Sequence, residues 1–335
     1  MIVSKLFSKI AGKPISEDTV SYLCVQVHII TYMSKNCFDS SVRLSKASKT
    51  YLDKVNEIID DFDKMGHKLT LRQLYYQLVG KAIIENETSS YRKLSTLLTD
   101  GRMSGFVDWD IFEDRLRKPQ IPYCSSGIAE ALEMTANIYK IDRMEGQQNY
   151  IEVWVEKDAL SGILSKITRE YHINLMVNRG FSSSTAMHEA YTRFAAQIEE
   201  GQKCVILYIG DHDPSGICMH EDIENRLKTF GLNNIEVKRI ALNIEQVHEY
   251  NLPENKLKKD DKGKLKDPRG VAYKNKYGDK SWEVDALSPM VLDQIVRDEI
   301  ESLINRDQYL AMLETEREER TTLLEIAQGY AEAMF

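Results

Sequence analysis

Hydrophobic positions in the first third of the chain recur with the spacing of helices. Residues 49–65, 71–78 and 90–103 each place apolar side chains three and four positions apart. Thr70 directly precedes the second of these segments and is the expected N-cap. Residues 105–112 are typical of a turn followed by a short strand. Together these elements predict three helices and a wing, with the last helix available to a DNA groove.

The middle of the chain alternates strand-like and helical patterns. Ile151–Lys157 mixes β-branched and aromatic residues with polar ones, whereas Cys204–Gly210 is almost continuously apolar, as expected for a strand that is buried on both faces. Between them lie a helical pattern at Ala159–Arg169, a strand-like segment at Ile173–Val177 and a second helical pattern at Thr185–Ile198. This β-α-β-α-β order predicts a parallel sheet covered by helices.

These patterns predict an α/β protein with additional helical parts, and they divide the chain into six segments. Lys118-Pro119-Gln120-Ile121-Pro122 marks a linker. The predicted segments are an N-terminal extension (1–48), a helical domain with a wing (49–118), a linker with a helix (119–148), a parallel-sheet domain (149–250), a basic loop (251–281) and a C-terminal helical segment (282–335).

Three carboxylates lie at the predicted ends of strands. Glu156 ends the first strand, and Asp211 and Asp213 follow the apolar strand. Because the carboxyl ends of parallel strands meet at one edge of a sheet, we expect the three side chains to converge. Carboxylate oxygens suit Mg²⁺ or Mn²⁺ better than zinc, and such ions support phosphoryl transfer. Alternatively, Asp213 only caps the helix that begins near Pro214.

The second helix carries a pair of tyrosines. Tyr75 belongs to the apolar stripe formed with the leucines of this helix, so it is expected on the buried face. Tyr76 lies about 100° further round, and Arg72 is four residues before it on the same side. An arginine beside a phenol can stabilise a phenolate that attacks a phosphodiester. The alternative is an ordinary pair of one core and one surface tyrosine.

Charge is distributed unevenly along the chain. The net charge of −8 would by itself argue against a nucleic-acid partner, but residues 1–118 carry 18 Lys/Arg against 15 Asp/Glu, which leaves 26 against 37 for the remainder. On the third predicted helix, Arg92, Lys93 and Arg102 are candidate DNA contacts. Lys157, next to Glu156, either offsets carboxylate charge or contacts phosphate.

Residues 251–281 have a composition of their own. They hold ten Lys/Arg and five Asp/Glu, with Tyr273 and Tyr277 interleaved. Such a segment is either a solvated loop or a clamp for a nucleic-acid backbone. Immediately after it, Glu283 or Asp285 is a candidate further acid for the metal site.

Composition sets the broad class of the protein. The chain of 335 residues is long enough for two or three domains, and its 42% hydrophobic and 29% charged content is ordinary for a globular protein. The five cysteines lack disulfide or metal-binding spacing and are typical of reduced thiols. No signal-peptide pattern or membrane-length apolar run is present. A cytoplasmic location is therefore expected.

Two motifs resemble known families. Glu156 followed by Asp211-x-Asp213 in a β-α-β frame resembles the Toprim domain of topoisomerases, primases and related nucleases, and Asp-x-Asp-Pro-x-Gly resembles its topoisomerase VI A branch. Thr70-Leu71-Arg72-x-Leu74-Tyr75-Tyr76 resembles the segment that carries the cleavage tyrosine of topoisomerase VI A subunits. In that pattern the nucleophile falls on Tyr76. The chain is most similar to stand-alone prokaryotic relatives, namely Mini-A proteins and the Toprim nuclease of Wadjet-type plasmid defence.

The resemblance implies a winged-helix (CAP-like) domain followed by a Toprim Rossmann-like domain. It also implies Mg²⁺-dependent (or Mn²⁺-dependent) cleavage of double-stranded DNA, in which Tyr76 forms a 5′-phosphotyrosyl link. Catalytic roles then fall to Tyr76, Arg72 and Glu156, and metal binding to Glu156, Asp211 and Asp213. The expected partners are a second copy of the chain and a separate ATPase or SMC-like protein. The alternatives are a metal-dependent endonuclease that uses water and a DNA-binding protein without turnover.

Overall fold

A computed structural model describes residues 37–112, 122, 124–178, 180 and 182–333. Most of the predicted N-terminal extension, residues 1–36, lies outside the described residues. The described chain forms two compact units. The first is built from residues 37–78 and 84–112, and the second from residues 79–83 and those from 122 onward.

The first unit contains the three predicted helices. They are α1 (Lys46–Lys64), α2 (Leu71–Gly80) and α3 (Thr88–Met103). Thr70 caps α2 as expected: Gln73 donates its backbone N–H to Thr70 Oγ1 (3.3 Å), and Thr70 donates its own to Gln73 Oε1 (2.9 Å). This reciprocal pair satisfies donors that the first turn of a helix leaves without partners.

The predicted strand of the wing is reduced to a single bridge in the described part of the chain. Leu69 pairs with Phe112 in a parallel bridge, and residues 104–111 form turns and bends. The backbone N–H groups of Phe106 and Val107 both donate to the carbonyl of Gly101 in α3, at 2.8 and 3.0 Å. Because these donors turn back onto the helix end, they are not available for a strand ladder.

The second unit starts with α4 (Ile128–Ile138) and is organised around a four-stranded parallel sheet. The predicted β-α-β-α-β order is confirmed, and a fourth strand extends the sheet. In space the strands run β2-β1-β3-β4. The elements are β1 (Asn149–Val155), α5 (Ser161–Tyr171), β2 (Asn174–Val177), α6 (Ser184–Glu199), β3 (Lys203–Ile209), α7 (Pro214–Thr229) and β4 (Ile235–Ala241).

Strand β3 lies at the centre of the core. From Cys204 to Ile209 each of its residues is fully buried. Its side chains alternate between two hydrophobic clusters: Leu207 packs in one of them, and Tyr208 packs in the other. Burial on both faces explains the unbroken apolar run of this strand.

The C-terminal part is helical, as expected, with an ordered basic segment before it. The predicted C-terminal helical segment contains two long helices, which are separated at residues 304–305. Among the described residues, no helix is long and apolar enough to cross a membrane. The remaining elements are α8 (Ile244–Glu249), β5 (Asn255–Lys256), α9 (Gly270–Tyr277), β6 (Lys280–Ser281), α10 (Pro289–Leu303) and α11 (Arg306–Ala333).

Helix α4, in the segment predicted as a linker, packs on α11. Arg143, which follows α4, donates from Nε and Nη2 to the two carboxylate oxygens of Glu316 in α11, at 2.9 and 2.5 Å. Lys140 adds a bond of 3.2 Å to Glu316 Oε1. A buried, charge-assisted network therefore joins this segment to the C-terminal helix.

Candidate active site

The ends of β1 and β3 bring two of the predicted carboxylates together. The strands are paired up to Val155 and Ile209, and the backbone N–H of Glu156 extends the pairing by donating to the carbonyl of Ile209 at 2.9 Å. The backbone N–H of Asp211 in turn donates to Glu156 Oε2 at 3.0 Å. The expected convergence of Glu156 and Asp211 at one sheet edge is confirmed.

Two glycines make this close approach possible. A Cβ atom at Gly210 would lie 2.8 Å from Glu156 Oε2 and 2.6 Å from the hydroxyl of Tyr208. A Cβ atom at Gly216 would lie 2.2 Å from the carbonyl oxygen of Asp211. A larger residue at Gly216 would force the backbone of Asp211 to shift, and one at Gly210 would displace the side chain of Glu156 or Tyr208.

Asp213 caps α7, as the alternative interpretation proposed. Its Oδ1 accepts the backbone N–H of Gly216 at 2.6 Å and the hydroxyl of Ser215 at 3.0 Å. The carboxylate is nevertheless near enough to Glu156 for repulsion to contribute to the raised pKa of Glu156. Capping and membership of the acidic site are therefore compatible in this residue.

Lys157 lies among carboxylates. Its Nζ is 2.9 Å from Asp211 Oδ2, and its side chain is only 18% exposed. It also lies 2.6 Å from Glu283 Oε2 and 3.0 Å from Asp285 Oδ1. Burial acts to lower the pKa of Lys157, but the three carboxylates outweigh it and raise that pKa. In this structure Lys157 offsets carboxylate charge, which is one of the two roles expected for it.

The segment after β6 completes the site. The backbone N–H of Val284 donates to Asp211 Oδ1 at 2.9 Å, so both oxygens of that carboxylate have partners. Glu283 and Asp285, the candidate further acids, flank Val284 and both reach Lys157. The sequence named either acid as a candidate, and the structure places both beside Lys157.

The site holds more negative than positive side chains. Burial raises the pKa of Asp211, and nearby Glu156 adds to the effect while Lys157 opposes it. Burial also raises the pKa of Glu156, with repulsion from Asp213 contributing. The carboxylates are Glu156, Asp211, Asp213, Glu283 and Asp285, and the cations among them are Lys157 and Arg239.

Arg239 was not singled out by the sequence, although it holds the loop in place. Its guanidinium donates to the carbonyl oxygens of Gly210 (2.8 Å), Asp211 (2.6 Å), Gly216 (2.8 Å) and Leu242 (3.0 Å). The signal that could have revealed it is a charged residue directly before the apolar run Ile240-Ala241-Leu242, since arginines at the edge of a core are rare without dedicated acceptors.

His212, between the two aspartates, points into an aromatic cluster. Its Nδ1 lies 2.7 Å from the hydroxyl of Tyr273, which donates to the backbone carbonyl of His212 at 2.8 Å. The rings of Tyr277 and Trp282 lie against its imidazole, with centroids 4.7 and 5.7 Å away. Burial lowers the pKa of His212 to about 4. The imidazole of His212 is therefore engaged by the aromatic cluster.

The donor set fits a hard divalent cation. All candidate ligands are carboxylates, and their excess negative charge is what a divalent ion would balance. In the described part of the chain, no three His, Cys, Asp or Glu side chains stand in metal-binding geometry. Instead, Asp211 is bonded to Lys157 and Val284. A cation held by Glu156, Asp211 and Asp213 would therefore compete with Lys157 for Asp211.

Comparison of the chain with protein-family models and with curated proteins gives no match. The resemblance to the topoisomerase VI A family accordingly remains a prediction from the motifs.

The tyrosine pair lies in the first unit. The prediction that Arg72 shares the side of Tyr76 is confirmed, because the guanidinium carbon lies 5.6 Å from the centre of the Tyr76 ring. Tyr75 is 5% exposed, and its hydroxyl donates to Asn86 Oδ1 at 2.9 Å. The expectation of one core and one surface tyrosine is wrong, since Tyr76 is only 6% exposed. Its ring lies 5.2 Å from that of Tyr75, and this contact removes it from solvent.

The basic residues of α3 differ in accessibility. Arg92 and Lys93 are exposed, as a DNA-contacting surface requires. Arg102 is half-buried: its guanidinium carbon lies 4.8 Å from the ring centre of Trp109 and 5.3 Å from that of Phe112. Burial lowers the pKa of Arg102. In this structure Arg102 serves packing at the helix end.

Proposed function

We propose that this protein cleaves DNA phosphodiester bonds in a reaction that depends on Mg²⁺ or Mn²⁺ bound by Glu156, Asp211 and Asp213. The observation that carries the proposal is the hydrogen bond from Asp211 N–H to Glu156, which joins two strand ends at a site with excess negative charge. When bound, the ion would neutralise charge on the scissile phosphate and on the leaving oxygen.

The proposal also implies a specific fold for each of the two units. The first unit would be a winged-helix (CAP-like) domain and the second a Toprim domain of the topoisomerase VI A family. Arg92 and Lys93 on α3 would contact a DNA duplex. The family precedent supports a homodimer and a separate ATPase or SMC-like partner, and cysteines without pairing spacing support a cytoplasmic location.

Tyr76 is the first candidate nucleophile. Its phenolate oxygen would bond to phosphorus while the bond from phosphorus to the 3′ oxygen breaks. The 5′ end would then carry the phosphotyrosyl link, the phenol proton would pass to solvent, and the leaving 3′ oxygen would take up a proton to become a hydroxyl. Arg72, 5.6 Å from the ring, supports this role because a cation favours the phenolate.

Water is the second candidate nucleophile, and the burial of Tyr76 favours it. With 6% of its surface exposed, Tyr76 must move before its hydroxyl can reach a phosphate. A hydrolytic reaction needs no such movement, because the acidic site would direct a water molecule to phosphorus. Tyr76 would then be a packing residue.

A covalent trap distinguishes these reactions. Labelled supercoiled and linear DNA would be incubated with protein and Mg²⁺ or Mn²⁺, denatured and resolved on a gel. Wild type would be compared with Tyr76→Phe, Asp211→Asn and the matched control Tyr75→Phe. A protein-linked 5′ end that disappears only with Tyr76→Phe and Asp211→Asn supports transesterification.

Other outcomes separate the alternatives. Free DNA ends, with Tyr76→Phe still active and Asp211→Asn inactive, support a metal-dependent hydrolase. A third outcome is DNA binding that persists in EDTA but no cleavage in any divalent ion, whether the homodimer is alone or an ATPase or SMC-like partner is added. This outcome contradicts the proposal and supports a DNA-binding protein without turnover.

A further inference from the structure

Residues 255–281 form an ordered segment, here called the basic strap. Its two ends pair as β5 and β6, with Asn255 opposite Ser281. Inside it, residues 258–266 form a basic hairpin in which Lys266 N–H donates to the carbonyl of Lys258 at 3.0 Å. The turn is fixed by Asp260, whose Oδ1 accepts the backbone N–H groups of residues 262 and 264 at 3.0 and 2.8 Å.

The hairpin concentrates positive charge on an exposed surface. Its nine residues carry five lysines and two aspartates, and one of the aspartates, Asp260, is occupied by the turn. Within the described residues, none of the five lysines forms a salt bridge. All five are exposed: Lys258, Lys259, Lys262, Lys264 and Lys266.

The hairpin is connected by packing to the loop at residues 210–213, here called the acidic loop because it carries Asp211 and Asp213. Leu265 covers Gly270 so closely that a Cβ atom there would lie 3.1 Å from Leu265 Cδ1. Gly270 begins α9. The hydroxyl of Tyr273 in the same helix contacts the ring Nδ1 of His212 and donates to the backbone carbonyl of His212. The hairpin lysines are therefore connected, through α9, to His212, which lies between Asp211 and Asp213.

We infer that the basic hairpin binds the phosphate backbone of nucleic acid beside the carboxylate site. The inference rests on the proposed function for the identity of the ligand. Lysines without salt-bridge partners break no ion pair when they contact phosphate, and each such contact releases counterions condensed on the nucleic acid. Phosphate contacts of this kind position a strand and do not read its sequence.

The contacts of the two tyrosines in the strap, Tyr273 and Tyr277, indicate its mode of binding. A stacking clamp would need aromatic rings on the surface. Tyr273 is 5% exposed, and the ring of Tyr277 lies against His212. These rings anchor the strap to His212, so binding by the hairpin is left to its lysines. Because phosphate contacts do not read sequence, the hairpin is expected to bind duplexes of different sequence equally.

Matched lysine substitutions test the inference. The hairpin variant replaces Lys258, Lys259, Lys262 and Lys264 by Gln. The control variant makes the same change of charge at four exposed lysines of the same unit, Lys166, Lys203, Lys228 and Lys238. Binding to a fluorescent duplex would be followed by anisotropy in EDTA over a range of salt concentrations, with circular dichroism to verify folding.

The hairpin variant should lose at least about tenfold in affinity at low salt. The slope of log affinity against log salt should become shallower by up to about 3.6, since each phosphate contact contributes about 0.9. The control should change by less than about one unit of slope. Equal losses in both variants, or no loss in a folded hairpin variant, would overturn the inference. So would equally tight binding of polyglutamate by wild type.

In this design the proposed cleavage and the proposed binding by the hairpin are tested separately. Because EDTA prevents any reaction that needs a divalent ion, the anisotropy result holds whether or not the protein cleaves DNA. If the hairpin variant loses binding and wild type never cleaves, the inference stands and the proposed function fails. If wild type cleaves but the hairpin and control variants bind alike, the inference alone fails.

Discussion

Lys157 Nζ lies 2.9 Å from Asp211 Oδ2, so a lysine two residues beyond the end of β1 pairs with an aspartate two residues beyond the end of β3. The same ammonium reaches Glu283 and Asp285. Lys157 thus balances part of the negative charge in the site. A divalent cation would relieve the same repulsion and would compete for Asp211.

Replacing Lys157 by methionine should make stability depend on metal. Removing one partner of a largely buried ion pair leaves the carboxylates uncompensated and should lower the free energy of unfolding by about 3 kcal/mol at pH 7. Millimolar Mn²⁺ should recover more of the melting temperature in this variant than in wild type, because ligands that bind the folded state stabilise it. Urea titration measures the free energy of unfolding, and differential scanning fluorimetry with and without Mn²⁺ measures the melting temperatures.

Lys203→Met serves as the control for that experiment, because Lys203 is an exposed lysine paired with Glu236. Its stability should change by less than about 1 kcal/mol. A Lys157→Met protein that melts like wild type, with or without Mn²⁺, would contradict the role assigned to Lys157.

Arg239→Lys should loosen the loop between β3 and α7. A lysine retains the charge but cannot donate simultaneously to the carbonyls of Gly210, Asp211 and Gly216, so most of these charge-assisted hydrogen bonds would be lost. We expect a loss of about 3 kcal/mol in the free energy of unfolding, measured by urea titration. The adjacent Lys238→Met removes only an exposed pair with Glu299, and a similar loss in that control would refute the assignment.

Stability should fall in acid through Glu316. Burial acts to raise the pKa of Glu316, but hydrogen bonds from Arg143 and Lys140 outweigh it and lower the pKa to about 2. Because the folded pKa is below the unfolded value of 4.5, the stabilisation is complete above about pH 4.5 and disappears as the pH falls toward 2. The difference corresponds to roughly 3 kcal/mol.

Urea titrations between pH 2 and 6 test this prediction. Glu316→Gln should be less stable than wild type near pH 6, and the difference should shrink as the pH approaches 2. The exposed Glu318→Gln serves as the control and should follow wild type throughout. If the difference in the free energy of unfolding between Glu316→Gln and wild type stays constant from pH 6 to pH 2, the network stabilises the fold by packing and not by charge.

The sequence predicted the sheet and the meeting of Glu156 with Asp211, because both follow from local periodicity and from a general rule about parallel strands. It did not predict the partners of Lys157 or Arg239. These contacts depend on how residues 282–286 and β4 return to the site from far along the chain. Helical periodicity alone does not register such long-range contacts.

Tyr76 illustrates a second limit of pattern reasoning. The periodicity of α2 defines one buried stripe, as though the helix had a single packing neighbour. In the structure Tyr75 stacks edge-on against both Tyr76 and Tyr91, at 5.2 and 5.3 Å, so a wider arc of the helix is covered. The basic strap was similarly ambiguous because its order comes from contacts with His212, outside the segment itself.

Tyr273→Phe should separate the strap from the acidic loop without disturbing its ring packing. The hydroxyl of Tyr273 is 2.7 Å from His212 Nδ1 and donates to the carbonyl of His212. Its loss removes the partner of the buried Nδ1 of His212, whereas the carbonyl keeps the backbone N–H of Trp282 at 3.0 Å, and should cost about 1–3 kcal/mol of stability. Amide hydrogen exchange should increase in residues 258–277 and in the loop at 210–213, because the two share this contact.

Tyr277→Phe provides the comparison, because it alters the same helix and keeps a ring against His212. Its exchange pattern should resemble that of wild type in the loop at 210–213. If both variants exchange alike, or if Tyr273→Phe affects only the strap, then the hydroxyl of Tyr273 does not transmit order to the Asp211–Asp213 loop. In that case nucleic acid held by the basic hairpin would be positioned by the strap alone.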